Sequence, residues 1–268
     1  MNRKLDVGGT LSQAFSTYAS QAGVLLPLAF CLYLIVGVVS GILAHSLILL
    51  PIAFAVSVVA ATLYQGMVVG LVNDVQDGRR DSSVEDLVKA TGPVILPLIG
   101  AGILAGIAIG IGFVLLIVPG LILLTIWSVI APVIVVERTG VIEAFGRSRE
   151  LVRGNGWQVF GVILVVFVIV IIVQTILGAI AVGIDDSALL RILFNILSST
   201  ITAPIVALVA AVLYFRLLAL KGEAPAAPAA PAPPPSAMEQ PPPPSEPPPP
   251  PPSTEPPPPP PAAPGPGA

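Results

Sequence analysis

Along residues 1–222, long uncharged apolar runs alternate with short polar segments. A bilayer's hydrocarbon core takes about 20 apolar residues as helix. Val24 to Leu43 supplies one such span, and Leu47 to Val72 a second after the polar break at His45–Ser46. Pro93 to Val136 carries no charge over 44 residues and predicts a helical hairpin. Its turn is expected at Pro119–Gly120, where proline and glycine punctuate the run. The fourth span, Leu121 to Val136, is then short and contains Pro132. Trp157 to Val182 predicts a fifth span. Leu190 to Leu220 predicts a sixth, long enough to tilt, with Pro204 as an expected kink.

The polar segments set the orientation. Arg3 and Lys4 precede the first span, and Arg79, Arg80 and Lys89 separate the second from the third. Arg138, Arg147, Arg149 and Arg153 separate the fourth from the fifth, and Arg216 and Lys221 close the sixth. Eleven of the twelve bases thus fall on one face, with Arg191 alone on the other beside Asp185 and Asp186. The positive-inside rule makes the basic face cytoplasmic and puts both termini there. The first apolar run starts late and is too long for a cleavable signal, so a retained anchor in a bacterial inner membrane is expected.

Each odd-numbered span is preceded by a polar-apolar segment: 10–19, 83–89 and 141–152. Gln13-Ala-Phe15, Glu85-Asp-Leu87 and Glu143-Ala-Phe145 can be superposed, which suggests a threefold repeat of amphipathic helix plus helical hairpin. In the third segment Val141, Phe145, Ser148 and Val152 recur at helical spacing. Glu143 and Glu150 lie within reach of Arg147 at i+4 and i+3. Such a helix is expected to lie in the interface, apolar face toward acyl chains. Glu137, Arg147, Arg149, Arg153 and Trp157 are the candidate headgroup-level residues, and anionic membrane lipids the candidate partners.

Composition agrees and adds a second region. The chain is 55% hydrophobic and 10% charged, with a mean hydropathy of +0.95, far from the roughly 25% charge of soluble domains. Of its 31 prolines, 24 lie at or beyond Pro225. The body, 1–222, is therefore a six-span membrane domain. The tail, 223–268, is expected to be a disordered, extended polyproline segment, either passive or a docking peptide for a protein partner. The tail carries four glutamates and no base, so the body is +1 of a total of −3. Nucleic acid is not an expected partner. Cys31 is the only cysteine, which excludes an intrachain disulfide or a cysteine metal cluster. The predicted fold class is all-α: a polytopic bundle of six transmembrane helices with cytoplasmic interfacial helices.

One stretch is distinctive: Pro132-Val-Ile-Val-Val-Glu137, then Gly140-Val-Ile-Glu-Ala-Phe-Gly-Arg-Ser-Arg-Glu-Leu-Val-Arg-Gly154, then Trp157-Gln-Val-Phe160. It resembles the bacterial membrane domain associated with glycerophosphoryl diester phosphodiesterase and related six-helix inner-membrane families. Glu137, Ala144, Arg147, Ser148, Leu151, Gly154 and Trp157 look like the matching positions, and the resemblance covers roughly 1–221. It implies a membrane domain without the enzyme. The catalytic barrel is a separate domain of about 250 residues, and its chemistry uses two histidines, whereas this chain has His45 alone.

No charge lies well inside a span, as a proton relay would require. No catalytic residue, metal ligand or cofactor is expected, and neither is enzyme activity. The uncharged Gln65, Gln174, Asn195, Ser198, Ser199, Thr200 and Thr202 suit either a substrate path or interhelical hydrogen bonds. A cavity lined by Gln174, Asn195 and Ser199 would favour transport of a small solute or lipid. A packed bundle would favour a non-enzymatic scaffold or accessory module. Gly102, Gly106 and Gly110 share one helix face, and Gly37–Gly41 and Gly66–Gly70 repeat that spacing, so all seven are candidate sites of close helix packing.

Overall fold

The computed structural model describes residues 4–43, 48–76, 92–184 and 187–223, all within the first of two units, Met1–Pro228. Among them run α1 (Val7–Leu43), α2 (Leu50–Gln76), a 3₁₀ turn (Gly92–Val94), α3 (Ile95–Leu115), α4 (Ile117–Ile126), α5 (Ile130–Glu137), α6 (Val141–Val152), α7 (Gly156–Ile184) and α8 (Ala188–Lys221). Among the described residues, six segments are long and apolar enough to cross a membrane: α1, α2, the 3₁₀ turn with α3, α4 with α5, α7 and α8. The fold is the expected all-α bundle. Segment 83–89, His45, Asp185, Asp186 and the tail beyond Glu223 lie outside the described residues.

The sixth span is the core element. Its most apolar window is 72% buried, against 17% for α1, α3 and α7. Ala207 to Phe215, Leu217 and Leu218 are all buried, and α8 packs on α1, α2, α5, α6 and α7. Pro204 lies inside α8 without ending it. Helices α1 and α8 run antiparallel, because Gly37 meets Ile196, Gly41 meets Ile192 and Gly9 meets Arg216. The buried Tyr64 hydroxyl donates to the Leu25 carbonyl at 3.0 Å and joins α2 to α1.

Three expectations are corrected. First, 10–19 is not a separate interfacial helix but the start of α1, which is continuous for 37 residues. At 1.5 Å per residue it is about 55 Å long, well beyond a hydrocarbon core of about 30 Å. Second, the hairpin turns at the extended Leu116 (φ −161°, ψ 142°), before Pro119–Gly120. Pro119 falls in the first turn of α4, where its missing N–H matters least. Gly120 is needed for contact: an added Cβ would lie 2.6 Å from the Phe113 ring. Third, the fourth span is two helices. Pro132 cannot donate to residue 128, and its ring clashes with that carbonyl. The chain turns at 127–129, and Val133 resumes the helix by donating to Val129 at 3.1 Å.

Candidate functional site

Residues 4–13, 137–156 and 214–223 meet at one end of the bundle, the end that carries most of the described bases. Helix α6 is built there as an amphipathic rod. Gly140 precedes it, and the Gly140 N–H donates to Glu143 Oε2 at 3.2 Å, so Glu143 caps the helix rather than pairing with Arg147. Ala144, Ser148, Leu151 and Val152 are buried, Val141 and Phe145 are half-buried, and Ile142 is exposed. Phe145 stacks edge-on against Trp127, with centroids 4.7 Å apart.

The break in the fourth span explains the place of Ser148. The Ile126 carbonyl loses its helical partner because Ile130 donates to Trp127 instead, at 3.3 Å. Ser148 Oγ donates to that freed carbonyl at 2.7 Å. An unpaired buried carbonyl would cost about 1–3 kcal/mol. Serine in this register thus connects α6 to α4.

Arg147 and Glu137, candidates for headgroup contact, pair with each other instead. Arg147 Nε lies 2.9 Å from Glu137 Oε2, with side chains 22% and 14% exposed. Tyr214 donates to Glu137 Oε1 at 3.0 Å from the core of α8. Arg147 also contacts Glu150 at 3.3 Å and pairs with Glu223. The carboxylates, Glu223 foremost, raise the Arg147 pKa, and Arg147 holds Glu223 below its usual value. The fork of Arg147 therefore joins α5, α6 and the chain just after α8. Its geometry is structural because Glu137 ends a buried helix, and removing one partner of such a partly buried ion pair would leave the other without its counter-charge. Arg216 ties α8 to α1 through Gln13 Oε1 and the Gly9 carbonyl, each at 2.9 Å.

Arg149, Arg153 and Trp157 are exposed. They border two adjoining hollows that share Ile126, Val152, Gly154 and Gly156. The first, about 620 Å³, is walled mainly by Val118, Leu121 and Ile122 of α4 and Trp157 and Phe160 of α7, with Lys4 and Gln158 also lining it. The second, about 570 Å³, is lined by Arg149, Glu150 and Arg153 among others. Leu5 N–H donates to Asn155 Oδ1 at 3.2 Å, which fastens the segment bearing Lys4 to the turn before α7. That Lys4 lines the hollow adjoining the one lined by Arg153 was not legible in the sequence, because the Leu5–Asn155 bond that brings it there joins residues 150 apart.

The glycine rows are placed unequally. A Cβ at Gly102 would collide with Thr62, and one at Gly106 would just touch Val58. Gly110 has nothing within 4 Å, so the packing expected of it is corrected: α3 and α2 diverge along that row. Gly37 and Gly41 admit Ile196 and Ile192 of α8. Gly66 is buried and Gly70 half-buried. Gln174 and Asn195 are exposed and Ser199 is half-buried. None of the three lines a cavity described here. Thr200 and Thr202 donate to carbonyls in their own helix at 2.8 Å. Gln65 and Ser128 line both a hollow of about 90 Å³ toward α3 and one of about 270 Å³ toward α7 and α8.

Six apolar spans, a buried central helix and a basic, amphipathic end define a multi-pass helical membrane protein. Comparison with known proteins agrees. Residues 87–219 match the family described as "Domain of unknown function (DUF7847)". A "UPF0259 membrane protein" of Pectobacterium carotovorum is 31% identical over 99 residues, 37% of this chain and 39% of that protein. The match thus spans about two fifths of that relative's length. No solved structure matches the chain. The family match takes in α6 and the last four spans, and the named relative is a bacterial membrane protein.

Proposed function

We propose that the chain is a non-enzymatic scaffold or accessory module of a bacterial inner membrane, with both termini in the cytoplasm. The observation that carries this reading is the amphipathic end of the bundle. There α6 is anchored by Leu151, Ser148 and Arg147, while Arg149 and Arg153 remain exposed. The positive-inside rule assigns that end to the cytoplasmic leaflet. The tail, 223–268, would act as an extended docking peptide for a cytoplasmic protein. The motif likeness to the membrane domain associated with glycerophosphoryl diester phosphodiesterase favours a module that works beside other proteins. The test compares the full chain with one ending at residue 222. Co-purification of a defined cytoplasmic protein with the full chain only supports the reading. Saturable solute flux in proteoliposomes, with or without the tail, overturns it. Cysteines at Ser83 and Ser187 should label from opposite faces of intact membranes.

One observation favours transport instead. The broken fourth span places Ser128, whose buried hydroxyl has no partner, beside Gln65 and the hollow of about 270 Å³. Discontinuous helices form substrate sites in transporters. The remaining walls of that hollow are apolar, including Val166, Phe167, Val170 and Val209, so the scaffold reading is preferred.

A further inference from the structure

We infer that the two adjoining hollows, one between α4 and α7 and the other along α6 and the turn after it, form one binding site for an anionic phospholipid of the adjacent leaflet. The inference rests on the leaflet-facing part of the scaffold reading and is independent of the tail. The apolar part comes from α4. Val118, Leu121, Ile122 and Thr125 recur every three or four residues, so they line one side of the helix over about 10 Å. Val118 and Ile122 are 64% and 51% exposed and Trp157 is 84% exposed, so this wall is open toward the acyl region. The volume of about 620 Å³ falls within the roughly 300–1,000 Å³ of ligand sites.

The polar part is charged in one sense. Lys4, Arg149 and Arg153 line it against a single carboxylate, Glu150. Glu150 is already committed to Arg147. The three bases have no ion-pair partner among the described residues. An apolar wall continuous with unneutralised bases matches a molecule with acyl chains and a phosphate. A zwitterionic lipid would bring its own cation against those bases, and a free phosphate would leave the wall uncovered. The first turn of α7 is also favourable. Its N–H groups have no helical acceptor, and the Asn155 side chain, in position to cap them, accepts from Leu5 instead.

The test uses the full chain purified in detergent and titrated separately with phosphatidylglycerol, phosphatidylcholine and inorganic phosphate, with bound adducts read by native mass spectrometry. The expected result is one phosphatidylglycerol retained in preference to phosphatidylcholine and not displaced by millimolar phosphate. Arg149→Gln with Arg153→Gln should weaken that binding about thirtyfold, since each base near an anionic surface contributes on the order of a fivefold factor. Both side chains are exposed, so the melting temperature should not change. Ile122→Trp, which fills the wall, should reduce retention of both lipids. Arg147→Gln should lower the melting temperature but leave the lipid preference intact. Equal retention of the two lipids, displacement by phosphate, or unchanged binding in the double variant overturns the site. A tail-dependent partner would survive that failure, and loss of the partner would leave the lipid result standing.

Discussion

The first and third polar-apolar segments start from similar sequence and end as different structures. Residues 10–19 run without interruption into α1, whereas 141–152 stop as α6 and α7 begins afresh. The connectors account for the difference. Ser20-Gln-Ala-Gly23 stays helical, but Arg153-Gly-Asn155 turns, with Gly154 at φ +96°. An extended helix keeps its polar end beyond the apolar core and needs a lateral tie, which Arg216 supplies through Gln13 and Gly9. A free-standing helix can fold back on the bundle and is held by burial, as Leu151, Ala144 and Ser148 show. Amphipathic pattern alone does not choose between these outcomes; a few connector residues do.

The largest expected effect tests how α6 is held. Leu151 is fully buried, so Leu151→Ala should cost about 2–5 kcal/mol. Limited proteolysis should then cut within 141–152 while the start of α1 stays intact. Cleavage in both segments at once would show that they are one cooperative unit.

Ser148→Ala removes the donor to the Ile126 carbonyl and should cost about 1–3 kcal/mol. Thermal unfolding in detergent measures it. A silent substitution would mean that water or a neighbouring group satisfies the break in the fourth span.

The connector argument predicts opposite signs for one chemical change. Gly154→Ala forces a side chain into a left-handed backbone and should destabilise by about 1–2 kcal/mol. Gly23→Ala lies inside α1 with open space around the added methyl and should stabilise by up to about 1 kcal/mol. Equal shifts in melting temperature would break the comparison.

The smallest effect is a pH dependence. Arg147 holds the Glu223 carboxyl below its ordinary value. The pair's contribution is therefore complete above the unfolded glutamate pKa of about 4.3. It is lost as pH falls through the depressed folded value. The melting-temperature gap between the natural chain and Glu223→Gln should be small at pH 7, because Glu223 is exposed, and should close below about pH 4. A gap that widens in acid would assign the ion cluster a different partner.

Six spans, their approximate limits and the amphipathic character of 141–152 were legible in the sequence, because transfer from water to lipid acts on each run almost independently of the others. Close packing at Gly37, Gly41 and Gly102 was legible for a related reason: small residues at four-residue spacing leave a groove whatever fills it. Partner identity was not. Glu137 and Arg147 look alike as lipid-facing or protein-facing charges until α8 brings in Tyr214 and the chain end brings in Glu223. Lys4 reaches the α4 wall, beside the hollow that Arg149 lines, where residue 5 bonds to residue 155. Hydrophobic thickness is written locally along the chain, so it determined the spans. Charge pairing and cavity shape depend on contacts between residues far apart in sequence, and only the tertiary packing around α8 decided them.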